Sequence, residues 1–447
     1  MRRSGIPAIA AMLALLPLAA TAATLNEVME KALEGDIRVP GSIAITKGDE
    51  ARAALERSSL LPQLSASAAV AQNDQKISSE FFGSSNETYQ DTSLALELRQ
   101  AVFRWDMRAR WKRADLLQAL AQADRTDRRQ IFLNRVVDRY SAVLEAQAQL
   151  DFAQAERLAL QEEQATIEDR ARVGLATMTA RRETEARAAV AEANLLLAED
   201  DLLSAQHALA ELLNGPGPTL LPLPARLPRM DAPVSTEAEF IALARDVAYP
   251  VQEASLRLAI AESQITSAVA EAAPQLDLVG RLSEDDASES RIGQLREASR
   301  IALELRIPLY AGGAALKGLK AARADRELVE AEVELYRRQA EQEARNAWRA
   351  VETGYRRLEA LDTALDAAQL ALDATRDGFE IGSRTQLDVL EARSAVLRAE
   401  RDQVLARYAL LRALARREAA VADLQFDDFP RFDSLFAAAP AQPQASE

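Results

Sequence analysis

The chain has 447 residues and a formal charge of −15, or −17 (−15 − 2) once Arg2 and Arg3 are set aside with the leader they open. A surface this acidic excludes nonspecific nucleic-acid binding. The absence of cysteine excludes disulfides, thiolate metal sites, a cysteine nucleophile and a lipid anchor on an N-terminal cysteine.

Residues 1–22 predict a secretory signal peptide: a basic start, an apolar run from Ile6 to Ala20 interrupted by Pro17, and the small residues Ala20-Thr21-Ala22 before a cleavage point. No later stretch is apolar and long enough for a transmembrane helix. The mature chain is then expected to divide into a first repeat over 23–213, a Pro-rich extended linker over 214–235, a second repeat over 236–425 and a loosely held tail over 426–447.

Four segments alternate like strands of about ten residues, the length of a transmembrane β-strand. "PQLSASAAVAQ" begins at Pro62, "SLALELRQ" at Ser93, "PQLDLVGRL" at Pro274 and "IALELRIPL" at Ile301. In the second, Leu94, Leu96 and Leu98 share one face and Glu97 and Arg99 the other, the pattern of lipid outside and water inside. Polar stretches from Asn73 to Asp91 and from Ser283 to Ser299 read as loops. Phe103, Trp105 and Tyr310, where strand passes into helix, suit an interfacial aromatic girdle.

From Phe103 to Val173 there is neither glycine nor proline, nor from Leu175 to Leu213, and no proline falls between Pro308 and Pro430. A helix from Asp106 to Arg172 would be about 100 Å long at ~1.5 Å per residue, a length for coiled coil. Heptad seams can be counted: Leu195, Ala198, Leu202, Ala205, Leu209 and Leu212; Leu358, Leu361, Leu365, Ala368, Leu372, Thr375 and Phe379; and Leu387 through Leu390, Ser394, Leu397, Arg401, Val404 and Tyr408 to Leu411, with Arg401 as the misfit. Gly174 and Gly382 would fold each long helix back on a shorter one. The lone histidine, His207, lies on one of these helices and reads as packing or surface, not as a ligand.

The halves repeat one another: Pro62 and Pro274 are 212 apart (274 − 62), Ala95 and Ala302 of the two "ALELR" segments 207 (302 − 95), and the turn glycines 208 (382 − 174). With its "LPQL" and "APQL" strand starts, its paired "ALELR" strands and its turns "RVGLATMT" and "EIGSRTQLDVLEA", the chain resembles the TolC-like outer-membrane efflux proteins over nearly its whole mature length. The second turn is the most specific part, with Gly382, Arg384, Thr385, Asp388, Val389, Leu390 and Ala392 at the family's spacing.

The resemblance implies a mixed α and β membrane protein: a homotrimer whose twelve strands, four per chain, close a barrel in the outer membrane, continued across the periplasm by an α-helical barrel of coiled-coil hairpins. Three copies would also supply the partners that one chain's open sheet edges lack. Asp388 and Glu391 would form an acidic ring at the periplasmic constriction, favouring cations, with crowding expected to raise their pKa values. Arg384 and Thr179 match a family latch that joins the two hairpins. A second latch is lost here, because Ala180 and Phe379 stand in its positions, although Phe379 could add packing. Val173, Gly174, Leu175 and Thr177, with Ile381, Gly382 and Ser383, would meet a periplasmic adaptor coupled to an inner-membrane pump. No cofactor or metal is implied.

The function expected is a passive exit duct for small molecules, with one-step protein secretion as the runner-up. An exported coiled-coil scaffold without a pore is the alternative from another class. An enzyme is disfavoured: no nucleophile–base set or metal cluster is visible, and "YAGGAALKG" at Tyr310 lacks the spacing of a phosphate loop.

Overall fold

The computed structural model describes residues 22–79, 83–232, 234–287, 294–425 and 429–435. Apart from Ala22, the expected signal peptide lies outside them. In chain order the elements are α1 (Leu25–Gly35), α2 (Arg38–Ser58), β1 (Gln63–Ser79), β2 (Gly83–Phe103), α3 (Met107–Arg172), α4 (Met178–Leu213), α5 (Glu237–Val247), α6 (Tyr249–Ala270), β3 (Gln275–Ala287), β4 (Gln294–Arg306), α7 (Ala314–Glu380), α8 (Gln386–Ala420) and α9 (Phe429–Asp433).

The four strands form one antiparallel sheet in the order β1-β2-β3-β4. Leu98 lies opposite Leu64 and Gly280, and Leu96 opposite Ala66 and Leu282, so the register gathers the leucines on one face. That face is open: Leu64 is 66% exposed and Ile301 84%. The opposite face carries an ionic cluster in which Arg99 pairs with Glu97 at 3.0 Å, and with Asp277 and Glu304 at 3.6 Å. Arg104 adds a contact to Asp277 at 3.3 Å. The strands outrun expectation. Much of both polar stretches read as loops continues the pairing, with Asn73 opposite Tyr89 and Glu284 opposite Glu297. Their Ser, Thr and Asn residues mimic loop composition but still alternate across a pleat.

α3 and α7 run uninterrupted for 66 and 67 residues. Each is braced by two shorter helices laid end to end. α2 lies along the start of α3, where Arg57 pairs with Asp115, and α4 along its remainder, where Leu195 and Ala198 meet Leu150 and Ala153. α6 and α8 brace α7 in the same way, with Val251 packed near Ala340 and Leu410 against Gly354. α3 also joins the halves: Arg412 pairs with Glu145 at 2.7 Å and Arg393 with Glu162 at 3.2 Å. Arg401, the misfit of its seam, lies over the Phe152 ring at 4.6 Å. The lateral order of helices, α2/α4, α3, α6/α8, α7, is therefore that of the strands continuing them.

The core sits at mid-height, where α1, the linker and the chain's end wrap the long helices. Leu25 and Val28, Leu133 and Tyr140, Leu209 and Leu212, Leu411 and Leu414 pack there with Phe429, Phe432 and Leu435. For residues 429–435 this corrects the expectation of a loose tail, since Phe429 and Leu435 are 0% exposed and Phe432 is 1%; the rest of that tail lies outside the described residues. Asp433 accepts hydrogen bonds from the Thr24 hydroxyl (2.9 Å) and the Asn26 amide (3.2 Å), holding the first helix of the core by its start. Prolines remove some of the linker's amides; its backbone pairs with that of Ala23 at Thr219 and Leu221, and side chains meet other polar groups. Tyr140 donates to the Leu221 carbonyl (2.5 Å), Tyr355 accepts from the Met230 amide (2.9 Å), and Arg417 donates to the Asp231 carbonyl (2.9 Å).

Candidate functional site: the hairpin tips

Both hairpins turn in the same way. Gly174 (φ +76°) and Gly382 (φ +78°) take the left-handed conformation that closes a helix. The Leu175 amide returns to the Arg170 carbonyl at 2.7 Å, and that of Ser383 to Gly378 at 2.8 Å. The next helix is then capped by threonine: the Ala180 amide donates to Thr177 Oγ1 at 3.1 Å, and Asp388's amide to Thr385 Oγ1 at 3.2 Å. Both pairs stand 208 apart (382 − 174, 385 − 177), so the turn is part of the repeat. Thr177 thus has a structural task that its expected role as a contact did not include. Exposed around these turns are Val173 (70%), Leu175 (77%), Met178 (65%) and Ile381 (82%), apolar side chains that folding leaves uncovered.

Asp388 completes a capping box by accepting from the Thr385 amide at 2.7 Å and hydroxyl at 2.9 Å. Those hydrogen bonds, with a smaller contribution from Arg384, hold its carboxyl below the usual range. Within one chain Asp388 therefore moves opposite to the rise expected from crowding, because capping acts on it before any neighbouring copy does. Glu391, one turn on, faces a cleft between the hairpins that also holds Glu163 and Arg187.

Arg384 packs back over its own turn: a Cβ at Gly378 would lie 2.7 Å from its Cγ. Among the described residues no hydrogen bond joins it to Thr179, which is exposed in the first turn of α4. Phe379 is 39% exposed, whereas Leu358 and Leu372 of the same seam are buried. At the other end, Phe103 (48%), Trp105 (59%) and Tyr310 (87%) are exposed beside Leu309 (92%), between sheet and helices. His207 is exposed on α4, and no group of metal-ligating side chains forms among the described residues. No helix among the described residues is long and apolar enough to cross a membrane. The membrane-facing candidate is the leucine face of the sheet.

A sheet with one apolar and one charged face, continued strand by strand into a curtain of long helices, defines a wall segment of an outer-membrane export channel. The chain belongs to the outer membrane efflux protein family, whose model matches residues 46–215 and 241–422, once in each half. It is 27% identical over 454 aligned residues to the Proteases secretion protein PrtF of Dickeya chrysanthemi, spanning 98% of this chain and 96% of that protein. To Outer membrane protein TolC of Vibrio cholerae it is 26% identical, spanning 94% and 95%. Among solved structures, the Campylobacter jejuni CmeC outer membrane channel superposes with a TM-score of 0.77 at 16% identity, over 92% of this chain and 89% of that one. VceC from Vibrio cholerae superposes at 0.73 and 20% identity, over 89% and 96%. At such identities the structures speak for the fold.

Proposed function

We propose that three copies close into one duct, with a twelve-stranded barrel in the outer membrane and the hairpin tips as its periplasmic entrance. The observation that carries this is the pair of open edges. β1 and β4 each have one unpaired side. Along the same two edges α4 exposes Leu196 and Leu203, and α7 exposes Leu328 and Leu335, each pair one heptad apart. Closure removes both the strand edges and the apolar stripes. The duct is passive. A periplasmic adaptor docks on the apolar tips, and an inner-membrane pump drives the cargo, which we take to be small molecules. A second reading, secretion of whole proteins in one step, is favoured by the names of two relatives, PrtF and the Alkaline protease secretion protein AprF of Pseudomonas aeruginosa.

The chain's lack of cysteine makes the test direct. A cysteine placed at Ser383 should cross-link in cells to a periplasmic adaptor, whose pump then separates the two cargo readings. Capture of this chain alone would leave the docking surface without support.

Two outcomes in planar bilayers follow. The conductance should favour cations, and Asp388→Asn with Glu391→Gln should reduce that preference severalfold, since six carboxylates around the constriction are neutralised. Unaltered selectivity would remove these residues from the pore. Arg384→Ala should raise leak through the isolated channel if the side chain bridges the hairpins in the closed assembly, and an unchanged closed conductance would remove it as a latch.

A further inference from the structure

A cleft of about 410 Å³ lies between α3, α4 and α8, where the two hairpins meet just above the tips. Its apolar lining includes Leu160 from α3, Val190 from α4, and Leu387 and Leu390 from α8, with Asn194 and Ser394 as neutral polar groups among them. Into it projects Glu163, only 6% exposed, with no hydrogen bond or ion pair to any described residue. The charged groups around it are Glu156 on its own helix, Arg187 on α4, and Glu391 and Arg398 on α8. Arg398 donates its Nε to the Ser394 carbonyl at 3.2 Å, and Arg187 stays beyond ion-pairing reach of Glu163. Burial pushes the Glu163 carboxyl above its ordinary range, the Arg187 guanidinium opposes this, and Glu391 adds to the rise.

A carboxylate largely screened from water and without a partner is costly, and it finds relief in a proton or a counter-cation. A hard metal ion would need several oxygen ligands converging on one point, and no such group of metal-ligating side chains forms among the described residues. A cation on an apolar body would use both features, placing its charge on Glu163 and its body against Leu160, Val190, Leu387 and Leu390. The volume falls in the range of small-molecule pockets, roughly 300–1,000 Å³.

We propose that this cleft is a binding site for organic cations with an apolar body, anchored by Glu163, at the entrance of the duct. The proposal rests on the duct reading for its meaning: it makes apolar ammonium compounds a cargo class that pauses between the hairpins before passing. Binding competes with protonation of Glu163. Because burial raises this group, the free site is protonated further up the pH scale than an ordinary glutamate, so affinity should fall as pH is lowered through that raised range.

The test uses the purified assembly in detergent, with 1-naphthylmethylamine as probe and 1-naphthylmethanol as its neutral counterpart, in equilibrium titrations. The amine should bind saturably and at least tenfold more tightly than the alcohol. Glu163→Gln, which keeps the shape of the side chain, should abolish that preference while leaving alcohol binding unchanged, and Arg187→Gln should strengthen amine binding. Equal affinities for amine and alcohol, or full amine affinity in Glu163→Gln, would overturn the proposal. Bilayer recordings keep the two readings apart. Conductance in both proteins, blocked by the amine in wild type alone, supports both. Conductance without amine binding overturns the site and leaves the duct, and amine binding without conductance does the reverse.

Discussion

Phe432→Ala should lower the stability of the protein by about 3–5 kcal/mol, as expected when a fully enclosed aromatic ring is cut to a methyl group. Phe432 is 1% exposed, its ring lies 5.9 Å from that of Phe429, and both sit in the core with α1, α3 and α8. Phe429→Ala should cost a similar amount. A stop codon after Gln425 should do more, because it removes both rings, Leu435 and the carboxylate that holds Thr24 and Asn26. The readout is the midpoint of heat or denaturant unfolding in detergent, with retention of the assembled species on gels as a second measure. A truncated protein with the wild-type midpoint would show that this segment only rests on the core.

Gly35→Ala is the second substitution with a large expected effect, and its sign opposes helix propensity. Alanine is worth about 0.5–1 kcal/mol over glycine inside a helix. At Gly35, however, a Cβ would lie 2.3 Å from the Leu213 carbonyl oxygen and 2.5 Å from its carbon. The obstacle is backbone, so relief requires the end of α4 to move away from α1. A net loss of about 1–3 kcal/mol is expected, in the range for overpacking. Gly41 and Gly48 in α2 are the internal controls. A Cβ at either meets nothing within 4 Å, so their alanine variants should gain stability. If Gly35→Ala also gained, the close contact with α4 would not exist in the assembled protein.

How much of this was legible in the sequence varied with the kind of signal. The long helices ended where glycine and proline permitted: α3 closes at Arg172, before Gly174, and α7 at Glu380, before Gly382. Repetition of the turn made both hairpins readable, and the alternation around Leu96 and Leu303 marked β2 and β4. What escaped is stored in contacts between distant segments. Nothing within "FPRFDSL" announces burial, since its phenylalanines are interspersed with charges and its polar partner lies 409 residues away, as Asp433 meets Thr24. Tyr408 reads as an ordinary seam residue, and Tyr140 and Tyr355 carry no signal at all, until the linker is laid across them. Glu163 was invisible for the same reason: one more acid in the acid-rich stretch from Glu145 to Asp169 becomes distinct only when α4 and α8 enclose it. The ends of β1 and β2 were lost to composition, because serine and asparagine suit a loop and a solvated strand equally.

The end-to-end bracing has a mechanical consequence. At mid-height α4 stops at Leu213 and α2 begins at Arg38, while α8 stops at Ala420 and α6 begins at Tyr249. Among the described residues only α3 and α7 cross that level without a break. Each long helix therefore behaves as a beam clamped at the wrapped middle, with a free arm of about 50 Å below, taking α4's 36 residues at ~1.5 Å each. A gentle bend of about 5° at the clamp would carry the arm's end sideways by roughly 4 Å, with every helical hydrogen bond kept. The upper half, fixed to the sheet, need not follow. Stiffness above and leverage below come from a single design choice: two short struts laid along one long beam.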